Sequence, residues 1–302
     1  MSGVTEQGLP WLMQGARDYM MGFLGSILTG IGTVLCCLAS AFSVLYMVSP
    51  GKAGEKRIIM LLSAGAVPLL AVLSLHGLQA GRLPVFGRSD MLLFYALSVI
   101  ATYLYVALQH RMRGISVVLV PYVTLCLLLG GSAMGQQVQT SPAAGSTWLG
   151  LHVCTAFIGF ALCTVSGVLA LAYVVQNNNL KRKHLGVVFE RLPPLESLDH
   201  LMSRQIGAAF LMLTLSLAFG VHLARLSGVG YEWVRDPKVM STIVIWGIYA
   251  VLVHMRTSAH RHGQGMALVT IAGFILVLLT FLGIHIFADG SHIFVAVGAT
   301  DF

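Results

Sequence analysis

Eight apolar runs of membrane-crossing length divide this chain, near residues 21–48, 58–80, 90–109, 114–134, 147–176, 204–226, 238–255 and 265–287. A bilayer core accepts only segments that satisfy their own backbone hydrogen bonds, and about 20 apolar residues of α-helix do so across its thickness. The pattern predicts an all-α, polytopic membrane protein of about eight helices with short loops. Composition agrees, with 57% hydrophobic and 10% charged residues in 302, where a soluble domain carries about 25% charged. No separate soluble domain, low-complexity tail or internal repeat is visible, so residues 1–302 read as one membrane domain. Residues 1–20 lack a basic leader followed by an apolar stretch, so no cleavable signal is expected. Trp11, Leu12, Met13 and Tyr19 suit an interfacial helix.

The net charge of +7 belongs to membrane orientation and not to nucleic acid, which is not expected as a partner. One set of loops holds Lys52, Lys56, Arg57, Arg111, Arg113, Lys181, Arg182, Lys183, Arg191, Arg204, Arg256 and Arg261. The other holds Arg17, Arg82, Arg88, Arg225, Arg235 and Lys238. Twelve against six makes the first set cytoplasmic. Both termini and the segment 227–238 then face outward across a cell's inner membrane. The fifth span continues as helix towards Lys183. Beyond it, Pro193-Pro194 breaks the chain. Leu195, Leu198 and Leu201 follow at helical spacing, which predicts a short amphipathic helix on the inner surface. The five cysteines lie in apolar runs without a CxxC and imply neither zinc nor disulfides.

Eleven histidines are the chemistry-bearing residues. Ionisable groups at membrane depth are rare and usually functional, and neutral imidazole binds haem iron. His152 stands at the outer start of the fifth span and His292 in the outer tail. His76, His222 and His285 also lie near outer ends. His254 is near the inner end of the seventh span, roughly 20 Å below that group, so it shares no iron with them. His110, His184, His200, His260 and His262 lie at the inner surface. No self-contained catalytic site is evident.

From Asp236 onward the sequence resembles the CcsA-type cytochrome c assembly proteins and the related HemX-like proteins. Their outer segment reads roughly WGxYWxWDPKExWxLIxW and runs into a helix ending Leu-His-x-Arg. Here Asp236-Pro237-Lys238, Trp246, Ile248-Tyr249-Ala250, His254 and Arg256 fall in register. RLPPLESLDHLMSRQIG, LHVCTAFIGFAL, GRLPVFGRSDMLLF and GIHIFADGSHIF are similar to further family segments in the same order, over residues 25–295. The resemblance implies haem b held by His152 and His292 as axial ligands, with Trp233 and Asp236 in the haem-facing segment 227–238. It matches His254 to the family's second haem site, which leaves three alternatives: His110 supplies the other imidazole, a partner chain supplies it, or the site is absent from this chain. Arg235 and Lys238 are placed to pair with propionates, Arg235 as a substitute for a family tryptophan. Val229, Val239 and Ser241 also depart from the family pattern, so Trp233 alone survives ahead of Asp236.

Two functions follow from the resemblance. The first is a haem-handling subunit of a cytochrome c synthase, which presents haem at the outer face for attachment to apocytochrome c. It needs a CcsB-type partner with a large outer domain. The alternative is a HemX-like regulator or scaffold in haem biosynthesis that delivers no haem. A transporter is disfavoured, because the spans hold few acidic residues to run an ion relay.

Overall fold

The computed structural model describes residues 9–48, 54–80, 87–110, 114–132, 146–183, 186–226, 231–258 and 263–280. Among these residues there is no β-strand. The helices are α1 (Leu9–Val48), α2 (Gly54–Ala80), α3 (Arg88–Gln109), α4 (Ser116–Ser132), α5 (Thr147–Lys181), α6 (Val187–Arg191), α7 (Leu195–Leu226), α8 (Pro237–Thr257) and α9 (Gln264–Leu278). A 3-10 turn, Tyr231–Arg235, leads into α8. Six of the helices are long and apolar enough to cross a membrane, and α4 and α9 are shorter apolar helices. The chain is an all-α, multi-pass membrane protein.

The helices pack as two four-membered rings. In the first, α1 lies on α2, α2 on α3, α3 on α4, and α4 returns to α1. In the second, α5 lies on α7, α7 on α8, α8 on α9, and α9 returns to α5. The rings meet where α3 packs on α5. Lipid offers no hydrophobic drive for helix pairing, so close packing and small residues decide the crossings. Helices α1 and α2 cross at Gly32 and Gly65, where a Cβ on Gly65 would meet the Cys36 sulfur and the Gly32 carbonyl at 3.2 Å. In the second ring Gly167 makes room for the Phe274 side chain.

Buried hydroxyls stitch the seam. Tyr95, wholly buried on α3, bonds the Tyr122 hydroxyl of α4 at 2.9 Å and the Thr164 hydroxyl of α5 at 2.6 Å. Two residues on, Ser166 bonds the Tyr249 hydroxyl of α8 at 2.8 Å. At the end of the bundle where α5 stops, α6 fastens the rings together. Arg191 donates to the Tyr46 carbonyl of α1 at 2.7 Å, and its guanidinium lies 5.3 Å from the Tyr46 ring centroid.

Two expectations change in detail. The residues expected to form a separate inner-surface helix are the first turns of α7, which runs unbroken for 32 residues. Pro193-Pro194 stops the chain before it, but Met202–Gln205 contains no helix breaker. Likewise α1 is continuous from Leu9, so Trp11–Met13 and Tyr19 belong to the helix that becomes the first span. The long fifth span is as expected, with α5 reaching Lys181. Its C-terminal extension is anchored to α9, where Asn177 and Lys181 donate to the Gln264 side-chain carbonyl at 3.0 and 2.9 Å.

Candidate haem site

Helices α5 and α7 run antiparallel and place His152 against Ser216 and Gly220. The imidazole Nδ1 is 2.8 Å from the Ser216 carbonyl oxygen. A carbonyl only accepts, so Nδ1 carries the proton and donates it. In the neutral ring the lone pair is then on Nε2, the form in which imidazole ligates a metal. Ser216 is fully buried and its hydroxyl lies 3.3 Å from both Nδ1 and the carbonyl oxygen of His152.

Four residues past Ser216, Gly220 leaves the space the ring needs. A Cβ there would stand 3.0 Å from both Cε1 and Nδ1 of His152. A carbonyl has two lone pairs, so the Ser216 oxygen takes the imidazole proton in addition to its place in the helix. Holding the far ring nitrogen on a backbone carbonyl fixes tautomer and ring orientation, the usual support for a metal-binding histidine. This geometry fits haem, whose porphyrin already supplies four nitrogen ligands to the iron.

The other anticipated residues are distributed as follows. Asp236 is buried, 6% exposed, and its carbonyl accepts from Met240 N at 2.9 Å as α8 begins. Asp ahead of Pro is a strong helix start, because aspartate caps and Pro needs no N–H partner in the first turn. Asp236 therefore has an architectural role whatever faces it. Trp233 is half-buried, its carbonyl accepting from Asp236 N at 3.2 Å. Arg235 is exposed. His292 and the side chain of Lys238 lie outside the described residues, as do His184, His260, His262 and His285.

His254 is exposed on α8, on a stripe with the exposed Met240, Val244 and Val251. It faces away from its own ring. His110 caps the end of α3, which packs on α2, α4 and α5, whereas α8 packs on α7 and α9. The fold sets the two histidines on different rings and does not pair them.

Two arrangements were invisible to sequence reasoning. Arg256 forms an ion pair with Asp199 at 2.7 Å, joining the end of α8 to the start of α7. It links the Leu-Glu-x-Leu-Asp segment and Val253-His254-Met255-Arg256, and both were in view, but nothing in the spacing said that they touch. His76 on α2 bonds Asp90 in the first turn of α3 at 2.8 Å. That pair gives His76 a structural partner within the first ring. Among the described residues no three His, Cys, Asp or Glu side chains gather as a metal cluster.

The fold defines a class, the helical multi-pass membrane proteins, here with an imidazole tethered between two of its helices. The family follows from comparison. The family described as "Cytochrome C assembly protein" matches residues 87–292, two-thirds of the chain, and this chain belongs to it. It is similar to the cytochrome c biogenesis protein CcsA of Synechococcus sp. (strain CC9605), 27% identical over 286 residues, covering 86% of this chain and 93% of that protein. CcsA of Prochlorococcus marinus (strain MIT 9303) is 26% identical, covering 86% and 92%. CcsA of Pyropia yezoensis is 24% identical, covering 82% and 91%.

Proposed function

We propose that this chain is a haem-handling membrane subunit of cytochrome c biogenesis. It binds haem b at the outer end of the α5–α7 seam and presents it for attachment to apocytochrome c. The observation that carries the reading is the Nδ1 proton of His152 donated to the Ser216 carbonyl at 2.8 Å, which sets Nε2 as the ligating atom. His292 is the second axial ligand, and Arg235 and Lys238 pair with the propionates. Arginine suits that task, since its fork meets a carboxylate with two hydrogen bonds. Loops Lys181–Lys183 and Arg256–Arg261 are cytoplasmic and Lys238 is outside. A CcsB-type partner supplies the large outer domain, and its membrane segment supplies the second ligand facing the outward-turned His254.

The absorption spectrum of the purified protein, with and without reductant, tests this. A Soret band that vanishes in the His152→Ala/His292→Ala double variant is expected, and an unchanged band sinks the reading. Topology has its own check. A thiol placed at Asn178 is expected to resist labelling from outside intact cells, and efficient labelling there inverts the orientation.

One observation favours a second reading, a HemX-like regulator or scaffold that delivers no haem. Val229, Arg235 and Ser241 strip the outer segment of tryptophan surface, and Val239 stands where the family has glutamate. Purified protein without a haem spectrum, together with unimpaired cytochrome c maturation when the chain is deleted, selects that reading.

A further inference from the structure

An aromatic corner stands beside His152 that neither the resemblance nor the ligand set accounts for. Trp148 is one helical turn outward of His152 on the same face of α5, about 6 Å along the axis. Its indole meets the His222 ring at 4.4 Å between centroids with the planes 62° apart, and the Phe219 ring at 6.0 Å and 48°. Phe219 and His222 are three residues apart on α7, so they share a face. Phe219 is in turn three residues beyond Ser216. One stretch of α7, 216–222, therefore fixes both the imidazole of His152 and the indole of Trp148. Yet Trp148 stays 39% exposed, and its neighbour Leu151 is 42% exposed.

We infer that Trp148 is the aromatic wall of the outer haem site, packing on the porphyrin face that His152 ligates. Phe219 and His222 are the residues that hold its indole in position. The inference rests on His152 being an axial ligand. A porphyrin bound through a helix-borne imidazole lies across the neighbouring turns of that helix, because one turn is comparable to the reach of the ring from iron to edge. A residue four positions away on the same face then falls under the macrocycle. A tryptophan there covers apolar ring area, and offset or edge contacts between aromatic planes add to the burial. The wall also has a reason to be needed in this chain, where the segment before α8 keeps Trp233 alone.

Haemin titration of the purified, haem-stripped full chain in detergent tests the inference, read by the Soret band. Trp148→Ala is expected to bind haemin about tenfold more weakly, equivalent to ~1.4 kcal/mol, while Trp148→Phe recovers most of the loss. His222→Ala is expected to fall between Trp148→Ala and the unaltered chain. In a chain whose other three tryptophans are Phe, haemin is expected to quench the Trp148 emission strongly. Unchanged haemin affinity in Trp148→Ala, with affinity lost in His152→Ala, overturns the wall and leaves the ligand reading standing. Unchanged affinity in His152→Ala removes the ligand reading itself. A loss in Trp148→Ala that Phe does not restore, with a lowered Tm of the haem-free protein, also overturns the wall, because Trp148 then only packs α5 on α7.

Discussion

The ring α1–α4 and the ring α5, α7, α8, α9 close in the same cyclic order, yet their polar residues differ in kind. The first ring buries hydroxyls, with Tyr95, Tyr103 and Tyr122 between its helices, and holds two histidines, His76 and His110. His76 is occupied by Asp90. The remaining nine histidines follow α4. The second ring also builds a slot for one of them, from a buried serine and a glycine. The same wiring thus serves two ends. One ring is closed by packing and by polar pairs such as Tyr95–Tyr122 and His76–Asp90, and the other is closed around an imidazole tethered to a backbone carbonyl. Residue placement, not topology, separates scaffold from site.

The largest test of that contrast is histidine by histidine. His152→Ala is expected to abolish the Soret band of the purified protein, whereas His76→Ala and His110→Ala leave it unchanged. Loss of the band in His76→Ala would erase the division between the rings. Next in size is Asp199→Ala, which strands the half-buried Arg256. A hydrogen bond to a charged group is worth about 1.5–3 kcal/mol, so a clear fall in Tm in detergent is expected. An unchanged Tm would mean that packing alone holds this end of the second ring.

A matched pair of glycine changes sharpens the comparison further. Gly32→Ala drives a methyl into Leu69 and the Gly65 carbonyl. Gly220→Ala sets one 3.0 Å from the His152 ring. Overpacking costs roughly 1–3 kcal/mol at either site. Only Gly220→Ala is expected to shift the Soret maximum as well as the Tm, and equal spectral effects would deny the slot its special role. The smallest effect belongs to the seam. Tyr95→Phe removes its bonds to Tyr122 and Thr164. Hydrogen bonds between membrane helices average about 0.6 kcal/mol, so a loss near 1 kcal/mol in chemical denaturation is expected, with the haem spectrum intact.

How much of this could be read beforehand depended on distance along the chain. The spans were legible because apolar length is a local property, and so was the helix start at Asp236-Pro237. The reach of α5 to Lys181 was legible too, since Asn177–Lys181 contains no breaker. The continuity of α7 was missed, because the leucine pattern of 195–201 suggested an end that no residue enforces. His152 stood out as a histidine at an outer helix end. What makes it a candidate ligand is Ser216, 64 positions away, and no local pattern names that partner. Asp199 with Arg256 was hidden for the same reason. Trp148 was in view, four residues before His152, but its meaning came only with His222 and Phe219 beside it.

Ring closure in chain order also has a consequence in time. Every helix of the first ring has met both its ring neighbours by Ser132, before any part of α5 has left the ribosome. At synthesis rates of about 5–20 residues per second, the remaining chain takes roughly 10–30 s to emerge. During that interval the early half can settle as a closed bundle, with α3 still offering the face that α5 will take. The later half then assembles against a finished wall, and α6, made between α5 and α7, latches onto α1 on its way past. Assembly by instalments of this kind leaves the histidine-rich half the last to be ordered.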